Sequence, residues 1–437
     1  MFMKYFLPDW EDKLDRGFDF QADAFTPNRD VSKDVYAHEV FETPLYDGIL
    51  VSRAVAEKSK TKYETLLRVG AHSYLRLSKE LEVFGDCGAF SYVNEEEPWY
   101  ETEDVLEYYD TIGVNYGASV DHLVVNTIYV TEAIKEKLED GTVVTKHKKQ
   151  KTQMPEAERQ RRIQLSLENA HEFFQLHKKR RYKFTPVGVA QGWTPDTYAD
   201  SVTQLLSMDY TYIALGGLAR SSASTVLNVL KAANRAVEEF PTRRSSDIRF
   251  HLFGVAKLTL IDKLPKYGVA SIDSASYLRK AWLRSGQNYL STDGQWYTAI
   301  RVPQSYHPRV REYIRENGKS LEEVQAQEQF CLQMLQHYDD AGLSPAELDQ
   351  LLDAIVEYDT HLLRFGDDGQ SLRDKVISRE KYRRTLEARP WENCPCDVCQ
   401  SLGIHVLIFR GTNRNKRRGF HNTWVFYNRL KVAKGTC

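Results

Sequence analysis

Short runs of apolar and β-branched residues recur along the chain, separated from one another by stretches with helical periodicity. The clearest are Gly48-Ile49-Leu50-Val51, Glu82-Val83-Phe84, His122-Leu123-Val124-Val125 and Pro186-Val187-Gly188-Val189. Tyr212-Ile213-Ala214-Leu215, Phe250-His251-Leu252-Phe253 and Val269-Ala270-Ser271-Ile272 continue the series. This alternation predicts parallel strands joined by crossover helices. Several of the runs end at a glycine or an acid, which matters because barrel enzymes carry their chemistry at the C-terminal ends of strands.

The pattern changes in two places. Between the third and fourth runs lies a long polar stretch, Thr131 to Tyr182, with the basic clusters Lys146-His147-Lys148-Lys149 and Lys178-Lys179-Arg180-Arg181. From Glu156 to His177 its apolar residues Ile163, Leu165, Leu167, Ala170, Phe173, Phe174 and Leu176 have the spacing of a barrel-covering helix. From Pro308 to about Ser378 the pattern is helical throughout, and Ser344-Pro345-Ala346-Glu347 supplies an N-cap, a proline at N1 and a capping-box acid. The predicted division is a barrel over 1–302, a helical insertion over 303–390 and a cysteine-bearing, basic subdomain over 391–437. No internal repeat is present.

Composition sets outer limits. With 437 residues and 42% hydrophobic content, the chain can bury one large core or two modest ones. Its 59 basic and 61 acidic side chains nearly cancel, so a polyanionic partner must be met by a local patch. Pro8 and the following acids interrupt the N-terminal segment, unlike a signal peptide, and no apolar run reaches membrane-spanning length. The expectation is a soluble, cytoplasmic protein with no membrane partner. No motif speaks to oligomeric state.

Six cysteines are few for a disulfide scaffold of this length, and three of them crowd into Cys394-Pro395-Cys396-Asp397-Val398-Cys399. His421 follows. Three closely spaced thiolates and an imidazole from a later helix satisfy tetrahedral Zn2+ with a closed shell, which is the pattern of a structural site. His405 is a rival fourth ligand, but it opens the apolar run His405-Val406-Leu407-Ile408-Phe409 and reads more simply as an edge-strand histidine.

These features occur in order with others: Phe84-Gly85-Asp86-Cys87-Gly88-Ala89-Phe90, Val189-Ala190-Gln191-Gly192, Leu215-Gly216-Gly217-Leu218-Ala219 and Ile272-Asp273-Ser274-Ala275-Ser276-Tyr277. Together with the cysteine motif and His421-Asn422, the set resembles the tRNA-guanine transglycosylase superfamily from about Gly48 to the C-terminus, apart from the helical insertion. The resemblance implies an α/β fold, a (β/α)8 TIM barrel with a helical insertion and a C-terminal zinc-binding subdomain. Asp273-Ser-Ala-Ser-Tyr277 is closer to the archaeal branch than to the bacterial queuosine branch, yet no archaeal-type RNA-binding domain follows. Tyr5-Phe6-Leu7-Pro8-Asp9-Trp10-Glu11-Asp12 and Arg410-Gly411-Thr412-Asn413-Arg414 resemble the DNA-modifying members, often called DpdA, which place 7-deazaguanines in bacterial or phage DNA.

Base exchange with retention at C1′ requires two displacements, and an ionised carboxylate is a suitable nucleophile. By the resemblance, Asp273 attacks C1′, and Asp86 protonates the departing guanine and then takes a proton from the incoming base. Asp121 would accept hydrogen bonds from the guanidine-like edge of the base. Gln191 and backbone N–H groups near Gly216 and Gly217 would meet its carbonyl face, and Phe90 would stack on it. Each residue has a plainer reading. Outside the family order, Asp86 and Asp121 read as helix N-caps, Gly216-Gly217 as a tight turn and Phe90 as core. Asp273 also precedes a cap-like Ser-Ala-Ser. His251 reads as a satisfied core histidine.

After Asp397 no acid occurs, whereas Arg410, Arg414, Lys416, Arg417, Arg418, Arg429, Lys431 and Lys434 interleave with Trp424, Phe426 and Tyr427. This pattern points to a phosphate-gripping surface beside the zinc site, against the alternative of a solvated tail. The two basic clusters flanking the long helix either extend that surface or form solvated loops. The sequence-level expectation is therefore a transglycosylase acting on DNA, with preQ0 as the incoming free base and helper proteins that open DNA as partners. The alternatives are a tRNA enzyme of the queuosine or archaeosine pathway, a non-catalytic zinc-stabilised nucleic-acid-binding subunit, and a sugar-cleaving barrel glycosidase.

Overall fold

The computed structural model describes residues 3–10, 12–137, 143–241, 247–283, 286–318, 320–363 and 369–432. The side chains of 130–149, 309, 313, 317 and 360–375 lie outside that description, and with them those of Lys146, His147, Lys148 and Lys149. The chain forms two compact units, one made of residues up to Asp9 with Tyr46–Ser274, the other of Trp10–Leu45 with Ala275–Val432.

The first unit is a closed barrel of eight parallel strands. In chain order its first four strands are β1 (Lys4–Pro8), β2 (Gly48–Ser52), β3 (Glu82–Asp86) and β4 (Tyr116–Ala118). An antiparallel pair outside the barrel follows, β5 (Thr127–Lys137) and β6 (Val143–Gln153). The barrel resumes with β7 (Thr185–Ala190), β8 (Tyr212–Leu215), β9 (Arg249–Leu252) and β10 (Val269–Asp273). Phe6, Leu50, Phe84, Ala118, Val187, Val189, Tyr212 and Ala214 fill the interior, so the barrel is a packed core.

Two strands differ from the sequence reading. The run His122–Val125 is not a strand; the fourth barrel strand is Tyr116-Gly117-Ala118, several residues earlier. The apolar run is buried for another reason, since Leu123 packs with Cys87, Ala89 and Tyr92 beneath the loops. A short apolar run has the same pattern in a strand as in a buried loop. At the true strand, a Cβ on Gly117 would lie 2.6 Å from the Phe184 ring and 2.7 Å from that of Tyr109, so neighbouring aromatics fill the space and the strand itself carries little apolar signal. The second difference is β1, which closes the ring between β10 and β2.

The long helix Glu156–Arg180 forms as expected. Glu156 and Glu158 lie in its first turn and His177 through Arg180 in its last, complementing the helix dipole at both ends. Its buried side includes Ile163, Leu167, Ala170 and Phe173. Arg180 at its end forms ion pairs with Glu103 and Glu107.

In the second unit, helices span Pro308–Asn317, Leu321–Ala341, Pro345–Leu363 and Gly369–Ala388, matching the helical pattern read there. Ser344 caps as anticipated, its hydroxyl 2.6 Å from the Glu347 carboxylate. A short helix, Asp397–Leu402, and a long one, Gly411–Val432, complete the unit. His405 falls in a single 3-10 turn, Gly403–Val406, and not on an edge strand. Among the described residues no helix is long and apolar enough to cross a membrane.

Candidate active site and metal centre

The C-terminal ends of the barrel strands bring carboxylates together. Asp86 ends β3 and Asp273 ends β10, while Asp121 follows β4 by way of the buried Ser119 and Val120. Asp121 and Asp273 are both buried. Surrounding protein and then the negative charges of Asp121 and Asp273 push the Asp86 carboxyl up to about 7, against the opposing hydrogen bond from the Gly88 backbone N–H. Burial likewise raises Asp121 to about 6, although hydrogen bonds from Cys87 and Gln191 favour its ionised form.

Asp121 is held by named partners. Gln191, on the loop after β7, donates through Nε2 to Asp121 Oδ2 at 2.6 Å, and Cys87 Sγ donates to Oδ1 at 3.3 Å. The other end of the Gln191 amide accepts from the Val124 backbone N–H at 3.3 Å. Tyr92 Oη lies 3.0 Å from Cys87 Sγ and donates to the Asp121 carbonyl. Neither Cys87 nor Tyr92 stood out in the sequence, because a lone buried thiol and phenol have no distinguishing spacing.

The turn after β8 packs on the same amide. A Cβ on Gly216 would fall 2.1 Å from Gln191 Nε2, so only glycine lets this backbone approach so closely. Gly217 adopts φ +75°, a left-handed conformation that glycine takes without strain. Gly216 donates its N–H to the Ala190 carbonyl at 3.0 Å. Phe90, in the turn Ala89–Ser91 just beyond Asp86, is 58% exposed and so offers a ring face outside the packed core.

Asp273 Oδ1 accepts two hydrogen bonds, one from the Gly254 backbone N–H at 2.9 Å and one from His251 Nε2 at 3.2 Å. His251 is a fully buried and satisfied histidine, as the sequence reading expected, but one of the groups that satisfies it is Asp273. That adjacency is a consequence of β9 and β10 pairing side by side, with His251 opposite Ser271.

The second unit contains a separate cluster. The ligand atoms of Cys394, Cys396, Cys399 and His421 lie within 4.8 Å of one another and all four residues are buried. The three sulfurs are 3.6, 3.3 and 3.4 Å from His421 Nδ1. Tetrahedral bonds of about 2.3 Å to sulfur and about 2.0 Å to nitrogen imply S···N edges of about 3.5 Å, so the donor set fits such an ion. His421 Nε2 donates to the Leu290 carbonyl at 2.8 Å, which fixes the ring with Nδ1 directed at the sulfurs. These residues could hold a metal ion. His405 is not part of the cluster.

A search of family models finds no match to the chain. The chain is similar to a DNA-guanine transglycosylase of Salmonella montevideo, with 36% identity over 442 aligned residues that cover 99% of this chain and 97% of that protein.

This chain belongs to the guanine transglycosylase superfamily.

As a member of that superfamily it is an enzyme, a pentosyltransferase. The superfamily barrel and the Cys3His cluster expected from the motifs are both present. One expectation needs correction. Four of the basic residues read as a phosphate-gripping surface are turned into the second unit: Arg410, Arg414, Arg417 and Arg418 are all buried, Arg418 completely, whereas Lys416 and Arg429 are part-buried and Lys431 is exposed. Arg410 pairs with Asp23 and Glu328, and Arg414 pairs with Asp23 as well. Arg417 donates to the Asp15 carbonyl at 3.0 Å and Arg418 to those of Ala281, Val406 and Ile408. Lys416 donates to the Lys13 carbonyl at 2.9 Å. The physical reason is that a guanidinium's several N–H groups can satisfy backbone carbonyls as well as phosphates, and charge spacing does not distinguish the two uses.

Proposed function

We propose that this transglycosylase exchanges guanine in DNA for a 7-deazaguanine, with preQ0 as the incoming base, through a covalent aspartyl–DNA intermediate. The observation that carries the mechanism is the convergence of Asp86, Asp121 and Asp273, with Asp86 raised to about 7. The DNA substrate rests on the name of the Salmonella montevideo relative.

Asp273 Oδ2 attacks C1′ of the target nucleotide as the C1′–N9 bond breaks. Asp86 gives its proton to the departing guanine. In the second displacement, N9 of the incoming base bonds C1′ as the bond to Asp273 Oδ2 breaks, and Asp86 recovers a proton from that base. A carboxyl titrating near 7 suits both roles, because each protonation state is populated at neutral pH. Asp121 accepts from the guanidine-like edge of the base, Gln191 and the Gly217 N–H address its carbonyl face, and the exposed ring of Phe90 stacks against it. A duplex target must first be unstacked at a cost of roughly a few kcal/mol, which favours single-stranded or distorted sites and gives a role to partners that open DNA.

In the second unit, Cys394, Cys396, Cys399 and His421 would hold Zn2+ as a structural cross-link, with no open position for substrate.

The test offers radiolabelled guanine and the enzyme either plasmid DNA or tRNA, followed by preQ0 and nucleoside mass spectrometry. Label entering DNA and then chased by preQ0 is the expected result; exclusive labelling of tRNA overturns the DNA substrate. Asp273→Asn should eliminate the covalent enzyme–DNA band on denaturing gels, and its persistence would remove Asp273 from the nucleophile's role.

A further inference from the structure

A line of buried polar side chains crosses the barrel interior and ends on Asp273. Tyr212 Oη lies 2.5 Å from Ser271 Oγ, which lies 2.6 Å from His251 Nδ1, and His251 Nε2 lies 3.2 Å from Asp273 Oδ1. All four residues are buried, and the surroundings are apolar: His251 stacks on Phe84 at 4.4 Å and meets Phe253 edge-on at 4.6 Å. Barrel interiors are ordinarily filled by branched aliphatic residues. Polar groups here are disfavoured unless each finds a partner, and among the described residues none of these atoms is orphaned.

The proton positions follow from that requirement. A neutral imidazole has one donor and one acceptor nitrogen. An unprotonated Nε2 would set its lone pair against the Asp273 carboxylate, so Nε2 carries the hydrogen and donates. Nδ1 then accepts from the Ser271 hydroxyl, and Ser271 accepts from Tyr212. This is the neutral arrangement in which every donor in the line has an acceptor.

With His251 and the Gly254 N–H both donating to Oδ1, that oxygen is anchored, whereas Oδ2 has no hydrogen-bond partner among the described residues. We propose that His251, oriented by Ser271 and Tyr212, is a positioning residue for the nucleophile: it fixes Asp273 Oδ1 so that Oδ2 meets C1′, and it stabilises the carboxylate as C1′ leaves. This rests on the reading of Asp273 as nucleophile. In the covalent intermediate Oδ1 is an ester carbonyl oxygen, a weaker acceptor than a carboxylate. As the C1′–Oδ2 bond breaks, the electron pair returns to Asp273 and the hydrogen bond from His251 strengthens. Its contribution is therefore largest in the second displacement.

The consequence is a signature that general loosening of the barrel does not produce. His251→Phe keeps a planar aromatic ring and removes the donor; it should lower kcat roughly 10- to 100-fold with KM for guanine within about twofold, while the steady-state fraction of enzyme trapped on DNA rises. His251→Gln, whose amide can still donate, should recover part of kcat and lower the trapped fraction. Ser271→Ala and Tyr212→Phe, which only unfix the imidazole, should show the same changes to a smaller extent. A folded His251→Phe enzyme with wild-type kcat and trapped fraction overturns the proposal, as does a loss of kcat with no rise in that fraction and no recovery in His251→Gln. If His251→Phe does not fold, wild-type behaviour of both Ser271→Ala and Tyr212→Phe overturns it. A wild-type enzyme that forms no covalent adduct refutes the underlying mechanism as well, whereas an adduct-forming wild type matched by the variants refutes the role of His251 alone.

Discussion

Gln191 stands between Asp121 and Gly216: its Nε2 donates to Asp121 Oδ2 at 2.6 Å, and the Cβ that Gly216 lacks would fall 2.1 Å from the same nitrogen. The glycine keeps the amide, and through it the carboxylate, in place. Gly216→Ala must push the Gln191 side chain away or shift the turn. The expected outcome is an increase of about tenfold or more in KM for the free base, with folding nearly intact, measured by steady-state kinetics and thermal unfolding. An unchanged KM would separate Gln191 from base recognition.

Asp86 makes stability depend on pH in a defined direction. Its folded carboxyl titrates near 7 against an ordinary 3.8, so the fold favours the protonated acid. That contribution is fully present below about pH 4 and is lost as pH rises through 7, reaching a penalty on the order of a few kcal/mol. Asp86→Asn should unfold at a higher temperature than wild type at pH 8, with the difference closing toward pH 4. A difference that grows on acidification would contradict the assigned environment.

The Cys3His cluster should bind one metal ion per chain, detected by elemental analysis as zinc. Chelation should lower the unfolding temperature, and Cys399→Ala should prevent metal loading. The His421 ring stacks on Tyr289 at 4.1 Å, and Tyr289 Oη reaches Cys399 Sγ at 3.3 Å, so the near-ultraviolet tyrosine signal should change with the metal. Metal-free preparations with full stability would dismiss the structural role.

Arg418 gives the sharpest contrast between sequence and structure. Arg418→Met leaves the carbonyls of Ala281, Val406 and Ile408 without their donor and should destabilise the protein by about 2 to 4 kcal/mol. DNA affinity of the folded variant, and its salt dependence, should match wild type. A shallower salt slope would restore Arg418 as a phosphate contact.

What the sequence made legible was what has a period or an order. β2, β3, β7, β8, β9 and β10 announced themselves as apolar runs, the helix Glu156–Arg180 through its stripe and end charges, and the metal cluster through tight cysteine spacing. Asp86, Asp121 and Asp273 were legible through motif order. Tyr116-Gly117-Ala118 was not, because its packing partners Tyr109 and Phe184 lie far away in sequence. The contact of His251 with Asp273 depends on which strands are neighbours, a property of the closed ring and not of either segment. The buried arginines show the converse: a conspicuous charge pattern whose partners, such as Asp23 and Glu328, lie hundreds or tens of residues away.

The seam of the barrel has a consequence for biosynthesis. β10 pairs on one side with β1, so Lys4, Tyr5 and Phe6 lie beside Ser271, Ile272 and Asp273. During translation the earliest strand must wait until one of the last to be made leaves the ribosome, about 15 to 50 seconds at ordinary elongation rates. Throughout that interval the nascent chain carries an unpaired strand edge open to chaperones or to other nascent chains. The ring closes only when Asp273 arrives, so under the proposed mechanism the nucleophile comes with the strand that completes the barrel.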